Sequence, residues 1–151
     1  MRSAYRILSY VLAAEIVIQA AAMVYAVAGL GKWVDGGGVL DKAAFESDDL
    51  SFTGVGGFIV HGINGMMIIP LLALILLIVS FFTKLPKAVV TAVGLLVLVV
   101  LQVVLGIVGH EIPASGALHG INALLIFAGA LHAARLASTP KVVVEKETAA
   151  A

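Results

Sequence analysis

Residues 55–82 read VGGFIVHGINGMMIIPLLALILLIVSFF, a stretch with no Asp, Glu, Lys or Arg. An α-helix rises about 1.5 Å per residue, so roughly 20 apolar residues cross the ~30 Å hydrocarbon core of a bilayer, and this stretch has enough. A helix that is apolar on every side has no face for water and belongs in lipid. Working outward, three more stretches meet the same requirement, at about 5–30, 87–108 and 117–137. The expected fold class is an all-α integral membrane protein, a four-transmembrane-helix bundle that occupies residues 1–139 as one domain. The connections are uneven. Residues 31–54 form a long acidic extracytoplasmic loop, with Asp35, Asp41, Glu46, Asp48 and Asp49 around Gly36, Gly37 and Gly38. Thr83 to Lys87 is a tight turn in which Pro86 ends one helix, and residues 109–116, with Pro113, form another short one. Residues 140–151 are polar, end in alanines and read as a disordered cytoplasmic tail.

Composition narrows the function. Hydrophobic residues make up 62% of the chain and charged residues 12%, about half the charged share of a soluble domain, which excludes a soluble enzyme. Nine basic and nine acidic residues cancel, so no positive surface is available for nucleic acid. Without cysteine there is no disulfide, thiolate cluster or thiol nucleophile. Gly54-Val55-Gly56-Gly57 has neither a preceding strand nor a following Lys-Ser or Lys-Thr, so it is a flexible loop end and not a phosphate loop.

Arg2 and Arg6 precede an apolar run that reaches Ala26-Val27-Ala28, the outline of a signal peptide. The run is about twice the length of a signal's apolar region and contains Glu15 and Gln19, so it reads as a retained span. Arg2, Arg6, Lys84, Lys87, Arg135, Lys141 and Lys146 fall on one side of the membrane, against Lys32 and Lys42 on the other. By the positive-inside rule both termini are expected to be cytoplasmic, in a multi-pass protein of the cytoplasmic membrane whose first partner is the lipid bilayer. Glu15 is then the one acid left within the hydrocarbon.

The apolar spans contain a repeat. His61-Gly62-Ile63-Asn64 in the second span returns as His119-Gly120-Ile121-Asn122 in the fourth. Gln19 in the first span and Gln102 in the third each lie about 14 residues, or about 21 Å of helix, from the cytoplasmic edge. The chain reads as two related helical hairpins around a pseudo-two-fold axis along the membrane normal, which sets His61 and His119 across the bundle from each other at similar depth.

Ionisable and strongly polar residues inside a membrane are costly, and each is a candidate for function. Two neutral imidazoles on opposed helices at one depth are what a six-coordinate haem iron requires, with the porphyrin between the helices. His61 and His119 are therefore candidate axial ligands. Gly62, Gly65 and Gly120 would let a flat macrocycle or a neighbouring helix approach the backbone, and Asn64 and Asn122, one turn deeper on the same faces, can bond across helices. The alternative is that both HGIN turns are polar glue between helices. Glu15 and Gln19, four apart on one face, together with Gln102 and His132, are candidates for a proton or polar relay, with His132 a possible partner for Glu15; a protonated Glu15 acting as glue is the other reading. His132 has no same-face counterpart, because Leu74 and Ile75 stand at the corresponding places after His61, so one haem is the most that the pattern supports. His110 and Glu111 fall at the outer end of the third span, where an imidazole meets water.

The string Leu101-Gln102-Val103-Val104-Leu105-Gly106, the Leu118-His119 that opens the next helix, and Ala133-Ala134-Arg135-Leu136-Ala137 at its far end resemble one four-helix half of haem A synthase. Small four-span membrane proteins of actinobacteria look similar as well. The synthase is built of two such bundles, each with a histidine pair on its second and fourth helices near the outer side, and the resemblance implies that role for His61 and His119. Its oxidising half has a glutamate three residues before the histidine of the second helix, where this chain has Phe58. Many members also carry a cysteine pair in the first loop, and this chain has no cysteine. Haem A synthesis is therefore not expected of this chain alone, although a homodimer would restore eight helices. The expected function is a membrane protein that binds one haem b through His61 and His119 and serves electron transfer, haem handling or redox sensing, alone or in a larger membrane redox complex. The alternative is a cofactor-free four-helix protein acting as a structural or accessory subunit of a larger complex, and a third reading is a small proton-coupled carrier using Glu15.

Overall fold

The computed structural model describes residues 1–47 and 50–138; the tail expected at 140–151 lies outside them. Helix α1 (Arg2–Asp35) is followed by a short α2 (Lys42–Glu46). Helix α3 (Gly56–Ile63) runs through a π-helical turn (Asn64–Ile68) into α4 (Ile69–Ser80), and α5 (Ala88–Val108) and α6 (Pro113–Ser138) complete the described chain. Among the described residues four spans are long and apolar enough to cross a membrane: Arg2–Asp35, Gly56–Ser80, Ala88–Val108 and Pro113–Ser138. The protein is an all-helical, multi-pass membrane bundle.

The spans stand in chain order around a ring. α1 packs against α3 and α4, α4 against α5, α5 against α6, and α6 closes back on α1. The second and fourth spans therefore lie on a diagonal. Two spans extend beyond their expected limits for local reasons. α1 continues to Asp35, where Gly36 and Gly37 end it by donating to Lys32 O (3.1 Å) and Val34 O (2.9 Å). Gly37 supplies the left-handed turn with φ 96°. α6 begins at Pro113, several residues before the expected 117, because a proline at the first helical position loses no hydrogen bond. Within the expected loop, α2 is nucleated by Asp41, whose Oδ1 accepts from Ala44 N–H at 2.7 Å. The turn at Pro86 is set by left-handed Lys84 (φ 54°) and Lys87 (φ 66°). Thr83 braces it by donating to Ser80 O at 2.9 Å and accepting from Leu85 N–H at 3.2 Å.

The bundle has two halves along its axis. Toward the Thr83–Lys87 turn it is closed by an apolar core from Leu12, Ala13, Ala73, Leu76, Ala92, Leu95, Val99, Ile126 and Ala130. In lipid, helix association relies on close packing and not on hydrophobic burial, and the alanines permit that approach. Tyr5 lies under this core and donates to Ala88 O at 3.2 Å, tying the start of α1 to the start of α5. At the opposite end the loop is drawn onto α1. Phe52 packs between Trp33 (ring centroids 6.2 Å apart) and Phe58 (6.3 Å, edge-on). A side chain on Gly29 would overlap Thr53 O, and one on Gly57 would overlap Ala22 O.

Gly57→Ala is therefore expected to push α3 off α1 and lower unfolding stability in detergent by about 1–3 kcal/mol. Gly94→Ala, which meets open space at mid-α5, is expected to be neutral or stabilising through helix propensity. Unfolding by SDS titration, followed by circular dichroism, measures both.

Candidate functional site

A polar layer crosses the half of the bundle remote from the Thr83–Lys87 turn. In the second hairpin, α5 brings Gln102 against α6. His119 Nδ1 lies 2.9 Å from the main-chain oxygen of Gln102 and donates to it, while Asn122 Nδ2 donates to Gln102 Oε1 (2.7 Å) and to Leu98 O (2.9 Å). The imidazole fits against α5 because residue 106 is glycine: a Cβ there would stand 3.1 Å from His119 Cε1.

The first hairpin carries the corresponding contacts. His61 Nδ1 lies 3.2 Å from the main-chain oxygen of Gln19, and Asn64 Nδ2 donates to Glu15 Oε2 at 2.7 Å. Glu15 stands four residues before Gln19, as Leu98 does before Gln102, so a side-chain oxygen in one hairpin takes the place of a main-chain oxygen in the other. The orientation of the Gln19 carboxamide is assigned from its neighbours. Its oxygen accepts from Asn64 Nδ2 (3.0 Å) and Gly65 N–H (3.2 Å), and its NH2 faces His61 O (3.1 Å) and His61 Nδ1 (2.8 Å). His61 Nδ1 thus has two neighbours. It donates to the Gln19 carbonyl in one tautomer and accepts from the Gln19 amide in the other, whereas His119 has only a carbonyl and carries its proton on Nδ1.

The two imidazoles meet on the bundle diagonal, with ring centroids 6.1 Å apart and planes inclined at 53°. Asn122 is buried, and its Oδ1 has no hydrogen-bond partner among the described residues. Gly62 and Gly120, next to the histidines, have nothing within 4 Å of a built Cβ, so they are not where helices approach; Gly57 and Gly106 take that part. No group of three or more His, Cys, Asp or Glu side chains able to hold a metal ion occurs among the described residues.

Some expected site residues lie elsewhere. His132 is exposed on the outer side of α6, and the partner of Glu15 is Asn64. The contacts of Glu15 thus run to Asn64, which neighbours Gln19, and not to His132. His110 and Glu111 are exposed beyond the end of α5. The π turn at Asn64–Ile68 is absent from the sequence reading, although Pro70 carries its signal. A proline inside a helix removes a hydrogen bond and collides with the preceding turn, and a π turn just upstream absorbs the collision. The matching position in α6 is Ala128, and α6 runs uninterrupted.

Gln19 serves main-chain groups beside the π turn as well as side chains, so Gln19→Leu is expected to cost more stability than Gln102→Leu, about 2–3 against 1–2 kcal/mol by SDS titration. Comparison with models of known families, with characterised proteins and with solved structures gives no match, so the site rests on its own geometry.

Proposed function

We propose that this protein holds one b-type haem between His61 and His119 in the cytoplasmic membrane and works in electron transfer, haem handling or redox sensing. The supporting observation is the histidine pair itself, on diagonal helices with centroids 6.1 Å apart. Imidazole nitrogens bind metals at about 2 Å and the ring centre lies about 1 Å behind the ligating atom, so two imidazoles on opposite sides of one ion have centres about 6 Å apart. The donor chemistry fits as well. With Nδ1–H donated to the Gln102 carbonyl, His119 offers Nε2 as a lone-pair nitrogen, the usual arrangement of a ligating histidine, and His61 does the same in the tautomer that donates Nδ1–H to the Gln19 carbonyl. A porphyrin iron takes only its axial ligands from protein, so a pair suffices.

Bound there, the group would supply one-electron iron chemistry. The chain's own residues do the rest: His61 and His119 bind, the Gln19 and Gln102 carbonyls orient them, and the apolar core closes the water path toward the Thr83–Lys87 turn. The resemblance to a haem A synthase half points to the same residues. Phe58, packed edge-on against Phe52, offers no carboxylate for oxidising a haem substituent, and that activity is not proposed. A second reading, a cofactor-free accessory subunit of a larger complex, is favoured by one observation: the Gln, Asn and His side chains already partner one another across the helices.

Protein purified from haem-replete cells is expected to be red, with a sharp Soret band that shifts on reduction. His61→Ala and His119→Ala are each expected to lose more than about nine-tenths of the haem while still eluting as folded protein. A colourless wild type selects the second reading, and unchanged haem in both variants contradicts the assignment of His61 and His119 as its ligands. The proposed topology places both termini in the cytoplasm. In this cysteine-free chain, Leu40→Cys is expected to react with an impermeant maleimide in intact cells, and Leu85→Cys only after lysis.

A further inference from the structure

A groove of about 450 Å³ lies between α1 and α3, with Ile18, Ile59, Ile63 and Ile68 in its walls and Glu15 and Asn64 as its polar members. Its isoleucines are exposed on the outer surface of the spans, so the groove opens to lipid. Glu15 stands about 14 Å of helix from Arg6 and about 26 Å from Lys32, well inside the hydrocarbon. Asn64 Nδ2 meets its Oε2 at 2.7 Å, and a carboxyl at that depth is costly unless polar groups meet both of its oxygens. A phospholipid headgroup stays at the interface, so the occupant must bring a weakly polar group into the hydrocarbon region.

Three features narrow the occupant further. The isoleucines give the groove apolar walls for the carbon skeleton of a lipid-soluble molecule. The carboxyl can donate to a carbonyl oxygen when protonated and accept from a hydroxyl when ionised, so it serves both states of a ring whose oxygens alternate between the two. The π turn that supplies Asn64 and Ile68 belongs to the groove wall, and π turns are frequent at functional sites. The groove is also joined to the histidine pair. Asn64 Nδ2 bonds Glu15 Oε2 (2.7 Å) and Gln19 Oε1 (3.0 Å), and the Gln19 amide donates to the main-chain oxygen of His61 (3.1 Å). These amides do not pass a proton; they fix the carboxyl and the imidazole relative to each other.

We propose that the groove binds a lipid-soluble quinone, with the ring against the isoleucines and one ring oxygen hydrogen-bonded to the Glu15 carboxyl. The binding site stands whether or not haem is present; only its use as the redox partner of the histidine pair rests on the reading above.

The test is photolabelling of the full chain in nanodiscs with a short-tailed azidoquinone. Saturable labelling of peptides covering residues 15–18 or 59–68 is expected, with competition by unlabelled quinone. Glu15→Leu and the groove-filling Ile63→Trp should each weaken labelling about tenfold or more, while Glu15→Gln, which still hydrogen-bonds, stays within about threefold. Non-saturable labelling, labelling indifferent to both Glu15→Leu and Ile63→Trp, or equal competition by an isoprenoid alcohol overturns the proposal. Haem content is read on the same samples. A colourless protein that labels as expected refutes the haem reading and keeps the groove, and a red protein without saturable labelling does the reverse.

Discussion

Two imidazoles inside a bilayer are tolerable because main-chain carbonyls meet them. The Gln19 and Gln102 carbonyls stand 3.2 and 2.9 Å from the Nδ1 atoms of His61 and His119, and each contact joins neighbouring helices. In water such bonds would compete with solvent. In hydrocarbon no solvent is available, so each polar group has to find its partner in the protein. This demand sets the rotation of all four spans. α1 must show its Gln19 face to α3, α5 its Gln102 face to α6, and the histidines then turn toward the diagonal.

The remaining architecture accommodates that layer. The alanine-rich core toward the Thr83–Lys87 turn lets the spans pack closely, and Gly57 and Gly106 bring α3 and α5 near enough for the polar contacts to form. The two hairpins match in their Gln–His–Asn contacts and differ where Pro70 stands. Its missing N–H is accompanied by a π turn, and the Gln19 carboxamide bonds the Gly65 N–H and His61 O beside it. The counterpart in the second hairpin, Gln102, bonds Asn122 through its carboxamide, and no main-chain group among the described residues. The two hairpins thus differ at Pro70, and the groove at Glu15 lies on the one that carries it.

Much of this was legible in the chain itself. Length and hydropathy suffice for the four spans because lipid requires about 20 apolar residues each, and the HGIN repeat with its two glutamines marks the polar layer. The helix ends moved by a few residues because Pro113 and Gly36 act locally. The partner of Glu15 was not legible. A helix that is apolar on all sides fits lipid in any rotation, so sequence alone does not say whether Glu15 turns to His132 on α6 or to Asn64 on the second span; the Gln19 contacts decide it. The π turn was hidden for a related reason: Pro70 signals a disturbed helix but not which residues absorb the disturbance.

Electron paramagnetic resonance of the ferric wild-type protein, with haem counted per chain, tests the account most directly. One haem per chain in a low-spin, six-coordinate state, turned high-spin or lost in His61→Ala and in His119→Ala, is the result predicted from the imidazole pair. A wild-type protein without haem, or one whose low-spin signal survives both substitutions, would contradict it.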